Sequence, residues 1–407
     1  MRAPTDALAE AAAPDPESDL EPTRPEETGT EGTSAEDAVT EPESDTLAIL
    51  GTRIERGTRR RLLLRTTESF MGALVETPVL VAAGREEGPT LCVVAGIHGD
   101  EINGVEIVRR LMLDLEVESL RGTVIAVPIA NMAAFRRGSR YLPDRRDLNR
   151  FFPGRPFGSS ASRIAHGLFT QVVEHCDALF DLHTGSFLRT NLHQLRADLS
   201  HPETAALAHD YGAEIIVNHP GRAGTLRRAA TDAGIPAVTV EAGQPSRFDR
   251  TEVEEALRGL SRLLVAREML ARETGDGAGE SPESAPGSRV AYLQTSWVRS
   301  DQGGILVSRV GLGDDVEAGE ILGTISDPLS GEIESIPAPR SGRVIGMAFD
   351  QLVMPGFAAY HIALEPRAAG ELPETLARSA EEIRGETGSQ EPEGSEPDDF
   401  ELEERPE

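Results

Sequence analysis

The segment VVAGIHGDEINGVEIVRR, Val93 to Arg110, joins an apolar, β-branched run to an amphipathic one and sets His98 and Glu101 at the joint. A glycine-bracketed turn at the end of a buried strand holds its side chains on a rigid scaffold. One helical turn brings residues i and i+3 to the same side, so this imidazole and carboxylate can converge on one point. The simplest thing to converge on is a divalent metal. Two further apolar runs end in ionisable groups: DALFDLHT carries Asp181 and His183, and PAVTVEAG carries Glu241. Two imidazoles and one carboxylate, with the fourth position left to water, are a common ligand set of catalytic zinc. Zinc lowers the pKa of its water to about 7 and polarises a carbonyl. Glu241, near that water but off the metal, would then be general base and proton donor to a leaving nitrogen. Asp181 would orient a ligand or cap its turn. Singly, each group has a plainer reading: a helix-start carboxylate at the positive dipole end, a satisfied strand-end histidine, a solvated glutamate. Their joint occurrence at three strand ends favours the metal site.

These groups need a common scaffold, and the chain from residue 90 onward supplies one. Short apolar runs (TLCVVAGI, TVIAVPI, DALFDLHT, EIIVNH, PAVTVEAG) alternate with amphipathic ones (NGVEIVRRLMLDL, ASRIAHGLFTQVVEHC, PETAALAHDYG, GTLRRAATDAG, DRTEVEEALRGLSRLLVAREML). Continuous apolar strands are those buried on both faces. The alternation predicts an α/β fold with a mostly parallel mixed sheet and helices on both faces. Sites in such sheets lie beyond the carboxyl ends of the strands.

The net charge of −29 is unevenly placed. Residues 1–46 carry 14 acids against Arg2 and Arg24, a net −12, and residues 371–407 carry 14 against three arginines, a net −11. Both tails, 1–46 and 367–407, are rich in Pro, Glu, Ser, Thr and Gly, a composition expected to stay disordered. All 40 basic residues are arginine. An acidic balance excludes nucleic acid as an expected partner. No run reaches the roughly 18 apolar residues of a membrane span, and no basic stretch followed by an apolar core opens the chain. The expectation is a soluble, cytoplasmic protein in which Cys92 and Cys176 are buried small hydrophobes rather than a disulfide.

A fourth constellation, SRYLPDRRDLNRFFPG, packs Arg140, Arg145, Arg146, Asn149 and Arg150 into a Pro- and Gly-bounded loop. Such a run is either a solvated loop or, beside a metal, an arginine fork for a carboxylate or developing oxyanion. The stretch SFLRTNLHQLRADLSHPE reads as a loop that offers Arg189, and less directly Asn191, His193 and Arg196, to a pocket.

Together GIHGDEINGVEIV, RDLNRFFPG, DLHTG and VEAG resemble the succinylglutamate desuccinylase/aspartoacylase family of the zinc carboxypeptidase superfamily, over about residues 60–270. The resemblance implies that His98, Glu101 and His183 hold one Zn2+ per chain. It implies that Asn149 and Arg150 grip a substrate carboxylate, that Glu241 is the catalytic glutamate, and that Arg140 polarises the scissile carbonyl. The implied reaction is hydrolysis of the amide of a small acyl amino acid. A carboxypeptidase-like enzyme trimming peptide ends and a silent scaffold keeping the fold are the alternatives.

Composition also divides the chain: a catalytic region over 47–270, a Gly-, Ser- and Pro-rich linker over 271–288, and a small all-β domain over 289–366. In that last domain GDDVEAGEILGTI and IPAPRSGRVIGM resemble a biotinyl/lipoyl-type sandwich, but a carrier needs a lysine and none exists. Shielding of the active site or homo-oligomerisation is left as its expected role.

Overall fold

The computed structural model describes residues 46–68, 74–272 and 289–368. Apart from their edges, the tails over 1–46 and 367–407 and the linker over 271–288 lie outside these residues. A hairpin of β1 (Thr46–Ile49) and β2 (Thr52–Glu55) precedes a twelve-stranded sheet. The α/β part comprises β3 (Thr58–Glu68), β4 (Leu74–Ala83), β5 (Glu86–Ala95), α1 (Ile102–Asp114), β6 (Arg121–Val127), α2 (Met132–Phe135), α3 (Ser160–Gln171), β7 (Ala178–His183), β8 (Arg189–Ala197), α4 (Pro202–Tyr211), β9 (Ile215–Asn218), α5 (Leu226–Asp232), β10 (Ala237–Gly243) and α6 (Arg250–Ala266). The rest is all strand: β11 (Val290–Arg299), β12 (Gly304–Ser308), β13 (Asp315–Val316), β14 (Ile321–Ser326), β15 (Ile333–Pro337), β16 (Gly342–Ala348), β17 (Gln351–Val353) and β18 (Ala358–Ala368).

Strand β5 shows why its sequence is apolar without a break. Leu91, Val93 and Ala95 face one core with Ile107 and Leu111 of α1, Leu207 of α4 and Leu260 of α6. Cys92 and Val94 face the other core with Ile164 and Leu168 of α3 and Leu226 of α5. Alternate side chains leave opposite faces of a strand, so a strand sandwiched by helices needs apolar residues at every step. Helix α1 meets it with Gly104, Ile107, Val108, Leu111 and Met112 buried, the i, i+3, i+4, i+7, i+8 stripe of an amphipathic helix.

The expectation of a mostly parallel sheet holds only at its centre. Strands β6, β5, β7 and β10 are parallel neighbours, and β8–β9–β11 form a second parallel run. The joints β10–β8, β4–β6, β3–β4 and those linking β11, β18, β16 and β13 are antiparallel. The reversal comes from β8, which follows β7 after only five residues. Two of these, Phe187 and Leu188, have positive φ and turn the chain back.

Strands on either side of the linker are bonded to each other. β11 pairs with β9 and β16 pairs with β8, so β8, β9, β11, β18 and β16 close into a five-stranded ring. Ile215, Val217, Tyr292, Ile345 and Ala363, with Leu192 against them, form its apolar cluster, the filled interior expected of a small barrel. Strands β15, β14, β12 and β17 make a separate four-stranded sheet. Among the described residues no helix is long and apolar enough to cross a membrane.

One expectation is corrected outright. Cys92 and Cys176 are joined in a disulfide, with Cα atoms 5.8 Å apart. Cys92 lies within β5 and Cys176 just before its parallel neighbour β7, so the chain reversal through α3 brings together two thiols that sequence spacing keeps 84 residues apart. On a chain-entropy reckoning a closed loop of that length adds about 4–5 kcal/mol. Protein denatured without reductant should therefore show no reactive thiol with Ellman's reagent, and two after reduction; two before reduction would contradict the bond.

Candidate metal centre and active site

Three parallel strands end at one edge, and their register sets the site. Ala95 of β5 lies beside Leu182 of β7, and His183 of β7 lies beside Glu241 of β10. The chain leaves β5 through a turn that only glycine permits at residue 99, where a Cβ would stand 2.1 Å from the Ala134 backbone of α2. Asn131 donates its side-chain N–H to the Ile97 carbonyl at 3.1 Å and pins the same turn. Glu101 occupies the N-cap position of α1 yet makes no capping bond with its side chain. The plainer reading of this carboxylate, a helix-start charge, therefore does not describe where it points.

It points between two imidazoles. Glu101 Oε1 lies 2.7 Å from His98 Nδ1, and Oε2 lies 2.9 Å from His183 Nδ1. The two Nδ1 atoms are 3.2 Å apart, and the Thr184 amide donates to Glu101 Oε2 at 3.1 Å. Each ring has a carboxylate behind it. Asp147 Oδ1 is 3.1 Å from His98 Nε2. Asp181 Oδ1 is 3.0 Å from His183 Nε2, a charge contact too bent to be a hydrogen bond. Arg140 closes the ring of charges, donating to Asp147 Oδ2 at 2.9 Å and lying 3.2 Å from His98 Nδ1.

Burial opposes every charge here, but neighbours outweigh it. His98 and His183 are both raised: burial, and for His98 also Arg140, pushes down, while Glu101 with Asp147 or Asp181 pulls up. Burial would raise Glu101 and Asp147, yet both are held far below the usual carboxylate range, Glu101 by the two imidazoles and Asp147 by Arg140 and His98. The imidazoles and carboxylates thus hold one another in their charged forms. His98, Glu101 and His183 offer two nitrogens and an oxygen within 4.8 Å of one another. This borderline donor set, with Asp147 hydrogen-bonded behind His98 and Asp181 in charge contact behind His183, fits zinc.

Glu241 stands at the same edge, with 7% of its surface exposed. Its Oε2 accepts from Asn191 Nδ2 at 3.0 Å, and its Oε1 lies 3.5 Å from Arg196 Nη1. Asn149 and Arg150 follow Asp147, whose side chain accepts from the Asn149 amide at 2.8 Å. Asn149 Oδ1 accepts from the Leu226 amide at 2.8 Å, which orients its Nδ2. Arg189 is buried and donates to the Ala358 carbonyl of β18 at 2.8 Å, with its guanidinium over Phe357 and Trp297. All of these except Asp147, Leu226, Ala358 and Phe357 line one cleft, whose wall also includes Trp297 of β11.

Comparison with known proteins bears on this arrangement. The family model of the succinylglutamate desuccinylase/aspartoacylase catalytic domain matches residues 87–267. A succinylglutamate desuccinylase from Pseudomonas aeruginosa is 31% identical over 239 residues, which cover 55% of this chain and 67% of that protein. The chain belongs to the succinylglutamate desuccinylase/aspartoacylase family. An N-alpha-acetyl-L-2,4-diaminobutyric acid deacetylase from Halomonas elongata is 29% identical over 283 residues, 66% of this chain and 78% of that one. Two solved structures are each 25% identical with a TM-score of 0.67. One is a succinylglutamate desuccinylase/aspartoacylase from Rhodobacter sphaeroides, matched over 76% of this chain and 95% of its own. The other is the ectoine utilization protein EutE (DoeB) from Ruegeria pomeroyi with product bound, matched over 75% and 95%.

Within this family fold, sequence reasoning named His98, Glu101, His183, Glu241, Arg140, Asn149, Arg150 and Arg189, and all eight face one cleft. Arg145 and Arg146, from the same basic run, are exposed, and Arg146 pairs with Asp144. His193 turns away to Glu252 and Tyr211. Asp147 was missed, although it is one of only two acids, with Asp144, inside the arginine run, and that is the signal that could have found it. If Asp147 orders His98, Asp147→Ala should weaken zinc affinity about 10–100-fold in a chelator competition, and His183→Ala should bind no zinc at all. Unchanged affinity in either variant would contradict the geometry.

Proposed function

We propose that this protein is a zinc-dependent hydrolase that cleaves the amide bond of a small N-acylated amino acid. The observation that carries the reading is the convergence of His98, Glu101 and His183 beside the strand end that bears Glu241. The names of its relatives, a desuccinylase and a deacetylase, support the same reaction class.

Bound zinc, held by His98, Glu101 and His183, would supply an acidified water and a polarised carbonyl. Glu241 takes a proton from the attacking water and delivers it to the amide nitrogen as the C–N bond breaks, so that a carboxylic acid and an amine leave. Its burial and its two held oxygens keep it aimed while the substrate turns over. Arg140, fixed by Asp147, offers charge-assisted N–H bonds to the developing oxyanion. Asn149 and Arg150 receive the substrate's carboxylate, for which the guanidinium fork and the oriented Asn149 amide are suited. Arg189 shapes the far wall with Trp297. The cleft lining holds Arg140, Arg150, Arg189, Arg196, Arg222 and Arg227 against Glu101, Asp181 and Glu241, a balance suited to an anionic substrate.

The competing reading, trimming of peptide ends, needs an open groove. Trp297 comes from β11, beyond the linker, and stands in the cleft wall, which favours a small substrate. The test is a hydrolysis screen over N-acetyl and N-succinyl amino acids, including N-succinyl-L-glutamate and N-acetyl-L-2,4-diaminobutyrate, with and without chelator. Chelator-sensitive release of one acyl group is expected, and Glu241→Gln should keep its zinc while losing about 10²–10⁴-fold in kcat. No turnover of any acyl amino acid by zinc-loaded protein would refute the reading; full activity in the variant would remove Glu241 from it.

A further inference from the structure

We infer that Asn191 is the positioning residue of Glu241, and that residue 346, on strand β16, is glycine so that Asn191 can hold that place. The inference rests on the reading of Glu241 as the base. Asn191 has only 4% of its surface exposed, and its Nδ2 donates to Glu241 Oε2 at 3.0 Å. The register between β10 and β8 shifts between Glu241 and Gly243, and Gly243 pairs with Asn191. From Gly243 to Glu241 is two residues on β10 but from Asn191 to Gln194 is three on β8, so the bulge lies on β8 and re-aims its side chains, Asn191 among them. A neutral amide fixes the carboxylate's rotamer with a weaker hold on its charge than a second arginine would have, because charge-assisted bonds are about twice as strong. The base therefore stays placed by a neutral donor on Oε2.

The other end of the amide meets the segment beyond the linker. Gly346 is the cross-strand partner of Asn191, and a Cβ at residue 346 would stand 2.6 Å from Asn191 Oδ1. Its next nearest atom would be His361 Cβ at 3.3 Å, so the one hard conflict is with the tip of the Asn191 side chain. That tip can swing away at little expense to folding, but swinging takes Nδ2 off Glu241. An alanine at 346 is thus expected to spare the fold and disturb catalysis. In this way a strand from the all-β part acts on the reaction without touching the substrate.

The experiment is a double-mutant cycle with Asn191→Ala, Gly346→Ala and the pair. It is assayed on N-succinyl-L-glutamate or N-acetyl-L-2,4-diaminobutyrate, whichever the wild type hydrolyses faster, alongside zinc content and thermal midpoint. Each single variant should lose about 10–100-fold in kcat, the scale of a misplaced catalytic group, with KM and zinc content little changed. The double variant should be no slower than Asn191→Ala, because removing the amide removes what the new Cβ strikes. Wild-type kcat in Asn191→Ala, or losses that multiply in the double variant, would overturn the inference. If Gly346→Ala gives no soluble protein, recovery of folding in the double variant supports the clash, and failure of both overturns the role of Gly346. An inactive Glu241→Gln beside a fully active Asn191→Ala defeats this inference alone, whereas an active Glu241→Gln defeats the reading beneath it.

Discussion

Glu101 is a carboxylate exposed over only 2% of its surface and pressed between two imidazoles, and the α/β half of the molecule is arranged to keep it there. An isolated ion in such a place would be expelled by its lost hydration, and it persists only where partners surround it. The fold supplies them from separate elements: His98 from the turn after β5, His183 and the Thr184 amide from the end of β7, and Asp147 and Asp181 behind the rings. Removing one partner leaves the rest as uncompensated buried charge. The members of the cluster are consequently strongly coupled, and the parallel strands that bring the pieces to one edge are their precondition.

The strands beyond the linker are tied into this arrangement through β8, which pairs with β10 on one edge and with β9 on the other, and whose first residues also pair with β16. Its buried residues are unusually polar: Arg189, Asn191, Gln194 and Arg196 all have less than a tenth of their surface exposed. Each has work that an apolar residue could not do. Arg189 bonds the Ala358 carbonyl, Gln194 bonds the Ile345 carbonyl, and Asn191 and Arg196 attend Glu241. A strand of this composition would be unstable between two helical layers, but it is satisfied between a polar cleft and a barrel.

That same composition explains what the sequence conveyed and what it withheld. Runs such as TLCVVAGI and PAVTVEAG announce themselves because burial on both faces demands unbroken apolar residues, and the place of the ionisable groups at their ends follows from strand direction alone. RTNLHQLRA reads as a loop because its polar residues are buried by tertiary partners that no local pattern reveals. Its antiparallel entry then alters the sheet from mostly parallel to mixed. Asp147 was hidden among arginines that drew attention as charge, although its own burial and its bonds to His98 and Arg140 are what give Arg140 its place. The pairing of Cys92 with Cys176 depends on which strands become neighbours, information that spacing does not contain.

The claim on which all else rests is that His98, Glu101 and His183 together hold one zinc ion. Anomalous diffraction from crystals of the purified protein, collected on both sides of the zinc absorption edge, tests it most directly. The expected result is one peak per chain, about 2.0–2.2 Å from a nitrogen of each imidazole and from a Glu101 oxygen, present above the edge and lost below it. A peak bound elsewhere, or none in protein crystallised with zinc, would contradict it.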